Sequence, residues 1–392
     1  MDPQSSSSAA ASKRFATRAI HVGAEPDPRT GAVIPPLVLA STFVQQVAGE
    51  WGEYDYTRSG NPTRHNVELT LASLENGTHA LAFSSGMAAT HAATMLLENG
   101  DHIVAGTDIY GGTYRLLHKI TNRAGVTVTL APTTDLSALR AAMTPRTRLV
   151  WLETPGNPLL TISDIAACAE IAHQHGALLA VDNTFATPVL TQPLTLGADI
   201  VMHSATKYLG GHSDLLGGAL IVKSSSLRDR LYFIQNATGA VLSPFESYLL
   251  ARGLKTLDLR VQHQCQTALE LARRLQVDPR VQHVIYPGLP DHPHAALAQR
   301  QLTGGAGAIV TLEVHGGVSR AKRMVETTRL FRLAVSLGAV ESLIEQPALM
   351  SHASYAAADR ARYGITDGLV RLSVGLEHVD DLWEDLDQAI GH

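Results

Sequence analysis

The stretch ADIVMHSATKYLGGHSD, running from Ala198 to Asp214, decides how the rest of the chain is read. Five mostly apolar residues, Ala198–Met202, have the length and composition of a short buried strand. The chain then turns polar at His203 and Ser204 and places Lys207 at the strand's mouth, before a Gly-Gly pair. Working outward, short apolar runs alternate with amphipathic stretches. The runs are HALAF (79–83), HIVAG (102–106), VTVTL (126–130), RLVWLE (148–153), ALLAVDN (177–183) and ADIVM (198–202). Between several of them lie stretches such as MAATHAATMLLENG and ISDIAACAEIAHQHG, each closed by a glycine that suits a helix C-terminal cap. Strand and helix in alternation predict an α/β fold with a mixed, mostly parallel sheet. GGALIVK (217–223) follows ADIVM too closely for a helical crossover, so it is expected to run antiparallel to its neighbour.

The flanks read differently. Residues 14–65 are rich in Pro, Gly and aromatics with weak periodicity, and read as an extended N-terminal arm. From about Asn66 a helix, VELTLASLENG, runs to a stop at Gly77. After Pro244 the helical pattern lengthens, and a boundary falls near Lys255. Beyond it, AIVTLEV (308–314) and LVRLSVG (369–375) suggest a smaller C-terminal α/β domain. The expected organisation is a disordered tail (1–13), the arm (14–65), a cofactor-binding domain (66–255) and the small domain (256–392).

Composition narrows the partners. The 392 residues are 45% hydrophobic and 17% charged, which suits a large core and excludes a disordered chain. A net charge of -5 with no basic stripe argues against nucleic acid. No apolar run reaches the roughly 18 residues of a membrane span. The start, MDPQSSSSAAASKR, lacks the hydrophobic core of a signal peptide and reads as a frayed tail, with a transit peptide as the alternative. Two widely separated cysteines, Cys168 and Cys265, fit a reducing compartment such as the cytoplasm. Cys168, in IAACAEIA, reads as a buried helix thiol. The 18 histidines show no metal-site spacing, so no metal is expected.

In open α/β sheets, ligands bind beyond the C-terminal ends of the strands. There the chain presents Ser84-Ser85-Gly86-Met87 before a helix, Tyr110 after HIVAG, Asn157 after RLVWLE, Asp182 at the end of ALLAVDN, and Lys207. Taken singly these read as a cap, a packing aromatic, a turn amide, a structural acid and a solvated lysine. Together they suit pyridoxal 5'-phosphate (PLP). The lysine condenses with the aldehyde and must be partly deprotonated, which burial favours. The carboxylate keeps the pyridine nitrogen protonated, making the ring an electron sink. The phosphate takes N–H groups at a helix start and nearby hydroxyls such as those of Ser204 and Thr206. A nicotinamide enzyme is disfavoured because SSGMAA matches the dinucleotide fingerprint poorly. A catalytically silent protein on the same fold is disfavoured because Lys207 and Asp182 are both in place.

VDNTFATPVLTQPLTLGADIVMHSATKYLGGHSD resembles the signature of the PLP-dependent Cys/Met metabolism (transsulfuration) family. The likeness runs from about Ala19 to Ile390 and includes YTRSGNPTR (56–64), FSSGMAA (83–89), DIYGGTYR (108–115), ETPGNP (153–158), GLKTL (253–257), YPGLPDHP (286–293), SLGAVESL (336–343) and RLSVGLE (371–377). The resemblance implies the fold-type I, aspartate aminotransferase-like architecture and a homotetramer, a dimer of dimers with active sites shared across the dimer interface. It implies that Lys207 binds the cofactor covalently and moves protons, that Asp182 pairs with the ring nitrogen, and that Tyr110 stacks on the ring and assists the leaving group. It gives the phosphate to Gly86, Met87, Ser204 and Thr206, with Tyr56 and Arg58 reaching it from a neighbouring subunit. Asn157 meets cofactor or substrate, and Arg371, with Ser336, meets the substrate α-carboxylate, a bidentate task suited to Arg.

The family's members differ by reaction. Arg115 can meet a distal carboxylate or acyl group, and Glu341 resembles the acid that meets the distal amino group of cystathionine in γ-acting members. Gly112 stands where methionine γ-lyases typically carry a cysteine. Asp55 stands where many γ-lyases have glutamate and some γ-synthases have aspartate, whereas QNATGAVLSPFESYLLARGLKTL (235–257) is more lyase-like. The resemblance thus implies α,γ-elimination of cystathionine. The alternative is γ-replacement of O-succinyl- or O-acetyl-homoserine by cysteine. The β-lyase, methionine γ-lyase and O-acylhomoserine sulfhydrylase reactions fit less well.

Overall fold

The computed structural model describes residues 12–353 and 355–391. The expected tail, 1–13, lies outside the described residues except for its last two positions. In chain order the strands among the described residues are β1 (His79–Phe83), β2 (His102–Gly106), β3 (Thr127–Ala131), β4 (Thr147–Glu153), β5 (Leu178–Asp182), β6 (Ile200–Ser204), β7 (Gly218–Val222), β8 (Val281–Ile285), β9 (Ile309–Val314), β10 (Arg332–Leu333), β11 (Leu343–Glu345) and β12 (Leu369–Ser373). The chain forms two compact units. The first takes in the chain up to Leu96 together with Asp199–Asp258; the second holds Leu97–Ala198 and the chain from Leu259 onward. This partition follows compactness, and the boundaries near 65 and 255 stand as a proposal from the sequence.

In the first unit β7 lies between β1 and β6, antiparallel to both. The antiparallel course expected of GGALIVK is therefore present, with Ser204 opposite Gly218. Every residue of β7 is buried, which is why the run carries no polar alternation. The helix Gly86–Thr94 packs on β6 and β7. It stops at Thr94 with Met95 as cap, short of the expected Gly100. Gly100 instead has φ +91 and gives its N–H to Gly125 O at 3.0 Å in the turn before β2. The arm also departs from its extended reading. Phe15–His21 is helical, because Arg18 and Ala19 bury against the helix Pro62–Leu74. There Arg18 donates to Ser73 O and Asn76 Oδ1.

In the second unit β2 lies between β3 and β4, and β4 adjoins β5, all parallel. Their core is Val104, Val150, Leu152, Leu179 and Val181, covered by the helix Ile165–Gln174 with Ile165, Cys168 and Ile171. The Cys168 thiol is wholly buried, and burial pushes its pKa up to about 12, as its apolar surroundings in the sequence suggest. A second sheet in this unit has the order β10-β11-β12-β9-β8. AIVTLEV and LVRLSVG form its central antiparallel pair, β9 and β12. The unanticipated β8, β10 and β11 are a half-exposed edge and two very short strands, which leave little periodicity to read. Among the described residues no helix is long and apolar enough to cross a membrane.

Candidate active site

In the first unit the site begins where β1 ends. Ser85 caps the helix Gly86–Thr94, its hydroxyl accepting from Ala88 N at 3.1 Å. The N–H groups of Gly86 and Met87 precede any intrahelical acceptor and have no other partner among the described residues. A Cβ on Gly86 would lie 2.9 Å from Ser204 Cβ, so only glycine lets this helix start approach the end of β6 so closely. Beyond Ser204, Thr206 Oγ1 accepts from Gly217 N at 3.0 Å and fixes the turn. Lys207 is half-buried in that turn, its backbone held by Ser204 O (3.1 Å) and Gly211 N (2.8 Å). Helix-start donors beside hydroxyls, next to an amine, fit a phosphate with a linked aldehyde.

The arm residues of this unit are displayed outward. Tyr56 and Arg58 are exposed, with the Arg58 guanidinium 5.6 Å from the Tyr56 ring centre. Tyr56 N donates to Asp55 Oδ1 at 2.7 Å. The buried Arg64 braces this segment by donating to Thr57 O (2.7 Å) and Arg58 O (3.1 Å).

In the second unit Asp182 ends β5, buried, with Oδ1 accepting from Thr184 N at 3.0 Å. Its register partner across the strand pair is Glu153, the last residue of β4 and also buried. Burial, and next the charge of Asp182, push the Glu153 carboxyl well above the ordinary carboxylate range. Glu153 Oε2 accepts the Tyr110 N–H at 2.7 Å, seating Tyr110 at the start of the helix Gly111–Lys119 with its ring partly exposed. Arg115, on the same helix, is exposed.

Asn157 and Arg371 are brought together. Arg371, central on β12 and 3% exposed, donates from Nη1 to Asn157 Oδ1 (2.9 Å) and Glu345 Oε1 (2.9 Å), and from Nη2 to Ser336 O (2.9 Å). Its Nε is buried with no partner among the described residues. Ser336 itself has φ +107, a strained conformation for a residue with a side chain. His352 Nε2 donates to the Asn157 carbonyl at 2.8 Å. Burial, then the charge of Arg371, lower its pKa to about 4, so the ring is neutral near pH 7. Glu341 is exposed, on the same β10–β11 connection as Ser336.

Glu153, Glu345 and His352 were not singled out from the sequence. The signals were there: acids ending the apolar runs RLVWLE and SLIE, where a buried strand has no ordinary use for a charge. Among the described residues no cluster of His, Cys, Asp or Glu could hold a metal ion.

The profile of a family described as Cys/Met metabolism PLP-dependent enzyme matches residues 16–391. A cystathionine gamma-synthase of Mycobacterium tuberculosis is 51% identical over 378 residues, covering 96% of each chain. A cystathionine beta-lyase of Coxiella burnetii is 47% identical over 376 residues, 95% of this chain and 97% of that one. The crystal structure of cystathionine gamma-lyase from Lactobacillus plantarum complexed with L-serine superposes with a TM-score of 0.94 at 46% identity, over 96% of this chain and 98% of that one.

Proposed function

Because the chain belongs to the Cys/Met metabolism family of PLP-dependent enzymes, we propose that its main reaction is the α,γ-elimination of cystathionine to cysteine, 2-oxobutanoate and ammonia. Its fold is the mixed, mostly parallel α/β fold of PLP fold-type I, its cofactor is PLP, and its chemistry is that of a transsulfuration enzyme. The relatives carry γ-synthase, β-lyase and γ-lyase names, so the specific reaction rests on this chain's residues. The observation that carries the choice is the β10–β11 connection. It holds Ser336, whose carbonyl takes Arg371, and also the exposed acid Glu341. One loop thus supports both a carboxylate receptor and an acid for the distal ammonium of cystathionine, which favours a γ-acting reaction, and the lyase-like stretch 235–257 tips the choice to elimination.

Bound PLP supplies an electron sink that acidifies the substrate Cα–H. Lys207 would hold the cofactor aldehyde, and its amine would carry protons between the substrate Cα, Cβ and Cγ. Asp182 keeps the ring nitrogen protonated. Tyr110 stacks on the ring and assists the departing thiolate. Gly86, Met87, Ser204 and Thr206 hold the phosphate, joined by Tyr56 and Arg58 of a neighbouring subunit. Arg371, with its unclaimed Nε, receives the α-carboxylate alongside Ser336 and Asn157. Arg115 meets the distal carboxylate, and Glu341 and Asp55 the distal amino group. Two buried free thiols accord with a cytoplasmic location.

The runner-up is γ-replacement, favoured by Asp55 and by the 51% identity to a γ-synthase. Incubation with cystathionine alone, then with cysteine and O-succinyl- or O-acetyl-homoserine, separates the two. The expected products of the first are 2-oxobutanoate and cysteine. Pyruvate with no 2-oxobutanoate would overturn the γ assignment, and cystathionine synthesis outpacing its cleavage would make γ-replacement the main activity. Lys207→Ala should abolish turnover and the visible absorbance of the bound cofactor together.

A further inference from the structure

Arg371 is paired before any substrate arrives. Glu345 stands opposite it in the antiparallel register of β11 and β12, and their side chains meet at 2.9 Å with both residues buried. Glu345 is itself held. Ser351 Oγ donates to its Oε1 at 2.6 Å, and Ser351 adjoins His352, whose ring binds the Asn157 carbonyl. Asn157 Oδ1 returns to Arg371 Nη1, closing a ring of five residues around the guanidinium. Nη1 is thereby spent on Glu345 and Asn157, and Nη2 gives a bond to Ser336 O. Two donors are left over: the second N–H of Nη2, and Nε, which is buried and unpartnered among the described residues.

We propose that Glu345 is the positioning residue for Arg371: it fixes which edge of the guanidinium meets an incoming α-carboxylate, and its charge tempers the grip on that carboxylate. The proposal rests on Arg371 being the α-carboxylate receptor. Its physical content is twofold. A guanidinium with Nη1 anchored cannot rotate its free edge away, so the carboxylate meets a preset fork. A second anion on the far side of the same cation opposes the first, so bound amino acid is held less tightly than by an uncompensated arginine. A substrate or product that must leave each cycle benefits from that weakening.

The test uses the PLP-loaded protein and glycine, an amino acid with no leaving group, with ethanolamine as the amine lacking a carboxylate. Binding is read from the visible absorbance of the cofactor. Glu345→Gln keeps an oxygen for Arg371 and Ser351 but removes the charge; glycine should bind at least threefold more tightly, with ethanolamine unchanged. Glu345→Ala leaves Nη1 to Asn157 alone, so glycine should bind at least tenfold more weakly to E345A than to E345Q, again with ethanolamine unchanged; equal glycine binding by the two variants overturns the positioning role. If E345A does not fold, E345Q alone decides. Glycine affinity in E345Q equal to or below that of the parent protein overturns the proposal, as does an equal change for ethanolamine. Arg371→Gln separates the underlying reading. If R371Q loses glycine while E345Q is unchanged, only the role of Glu345 fails; if R371Q binds glycine normally, Arg371 is not the receptor and both fail.

Discussion

Glu68 shows how one part-buried side chain sets a pH dependence. It lies in the helix Pro62–Leu74, its Oε1 accepting from Ala82 N at 2.8 Å, with Arg64 Nε 3.7 Å away. Burial is the largest influence and outweighs the nearby guanidinium, raising its pKa from 4.5 to about 7. A folded pKa above the unfolded one means the folded state binds the extra proton. Stability is therefore undiminished below about pH 4.5, falls as pH rises towards 7, and levels off above that. Ionising the group in place costs about 3 kcal/mol across that window. Glu68→Gln retains an acceptor for Ala82 and has nothing to ionise. Urea unfolding at pH 5 and pH 8 should show the substituted protein gaining about 2 kcal/mol on the parent between the two pH values. Parallel stabilities at both would show that Glu68 is ionised throughout.

At the scale of the element, the start of that same helix ties the arm down. Asn61 caps it, its Oδ1 accepting from Thr63 N (2.9 Å) and Arg64 N (3.3 Å), with Pro62 in the first turn. Its Nδ2 donates to Val38 O and Thr57 Oγ1, so one amide serves both helix and arm. Asn61→Ala should lower unfolding free energy by about 1–2 kcal/mol for the cap, measurable as a lower urea midpoint; an unchanged midpoint would mean solvent replaces the cap. The helix begins at Pro62, ahead of the Asn66 expected from apolar periodicity, because capping residues carry no hydrophobic period. The Asn-Pro pair was the available signal. By contrast HALAF and HIVAG coincide with β1 and β2, since buried strands show unbroken apolar runs with abrupt polar ends.

For the whole molecule, the arm leaves apolar side chains uncovered: Val33, Leu39, Val44 and Trp51 are each at least two-thirds exposed. Exposed apolar groups gathered on one segment mark a surface awaiting a partner. Beside them stand Tyr56 and Arg58, exposed and braced by Arg64. We expect a homotetramer built from dimers, with the arm seated on a second copy. Sedimentation at micromolar concentration should give a mass near four times 41.8 kDa; a monomer with full activity would exclude sharing of the arm between subunits.

The chain's motifs by themselves carried the α/β alternation, the antiparallel return of β7 and the choice of cofactor, because these follow from local patterning and from residue types that one chemistry requires. Lys207, Asp182 and Tyr110 could be proposed for the same reason, whereas Arg371 came only with the family resemblance of the motif around it. Only the folded structure decided what surrounds them. Glu345 reaches Arg371 through the pairing of β11 with β12, and Glu153 faces Asp182 through the pairing of β4 with β5. Which strands pair, and in what register, is settled by burial and hydrogen bonding between segments far apart in sequence. The same burial that brings Glu153 and Glu68 out of water raises their proton affinities, and a sequence read residue by residue carries no measure of it.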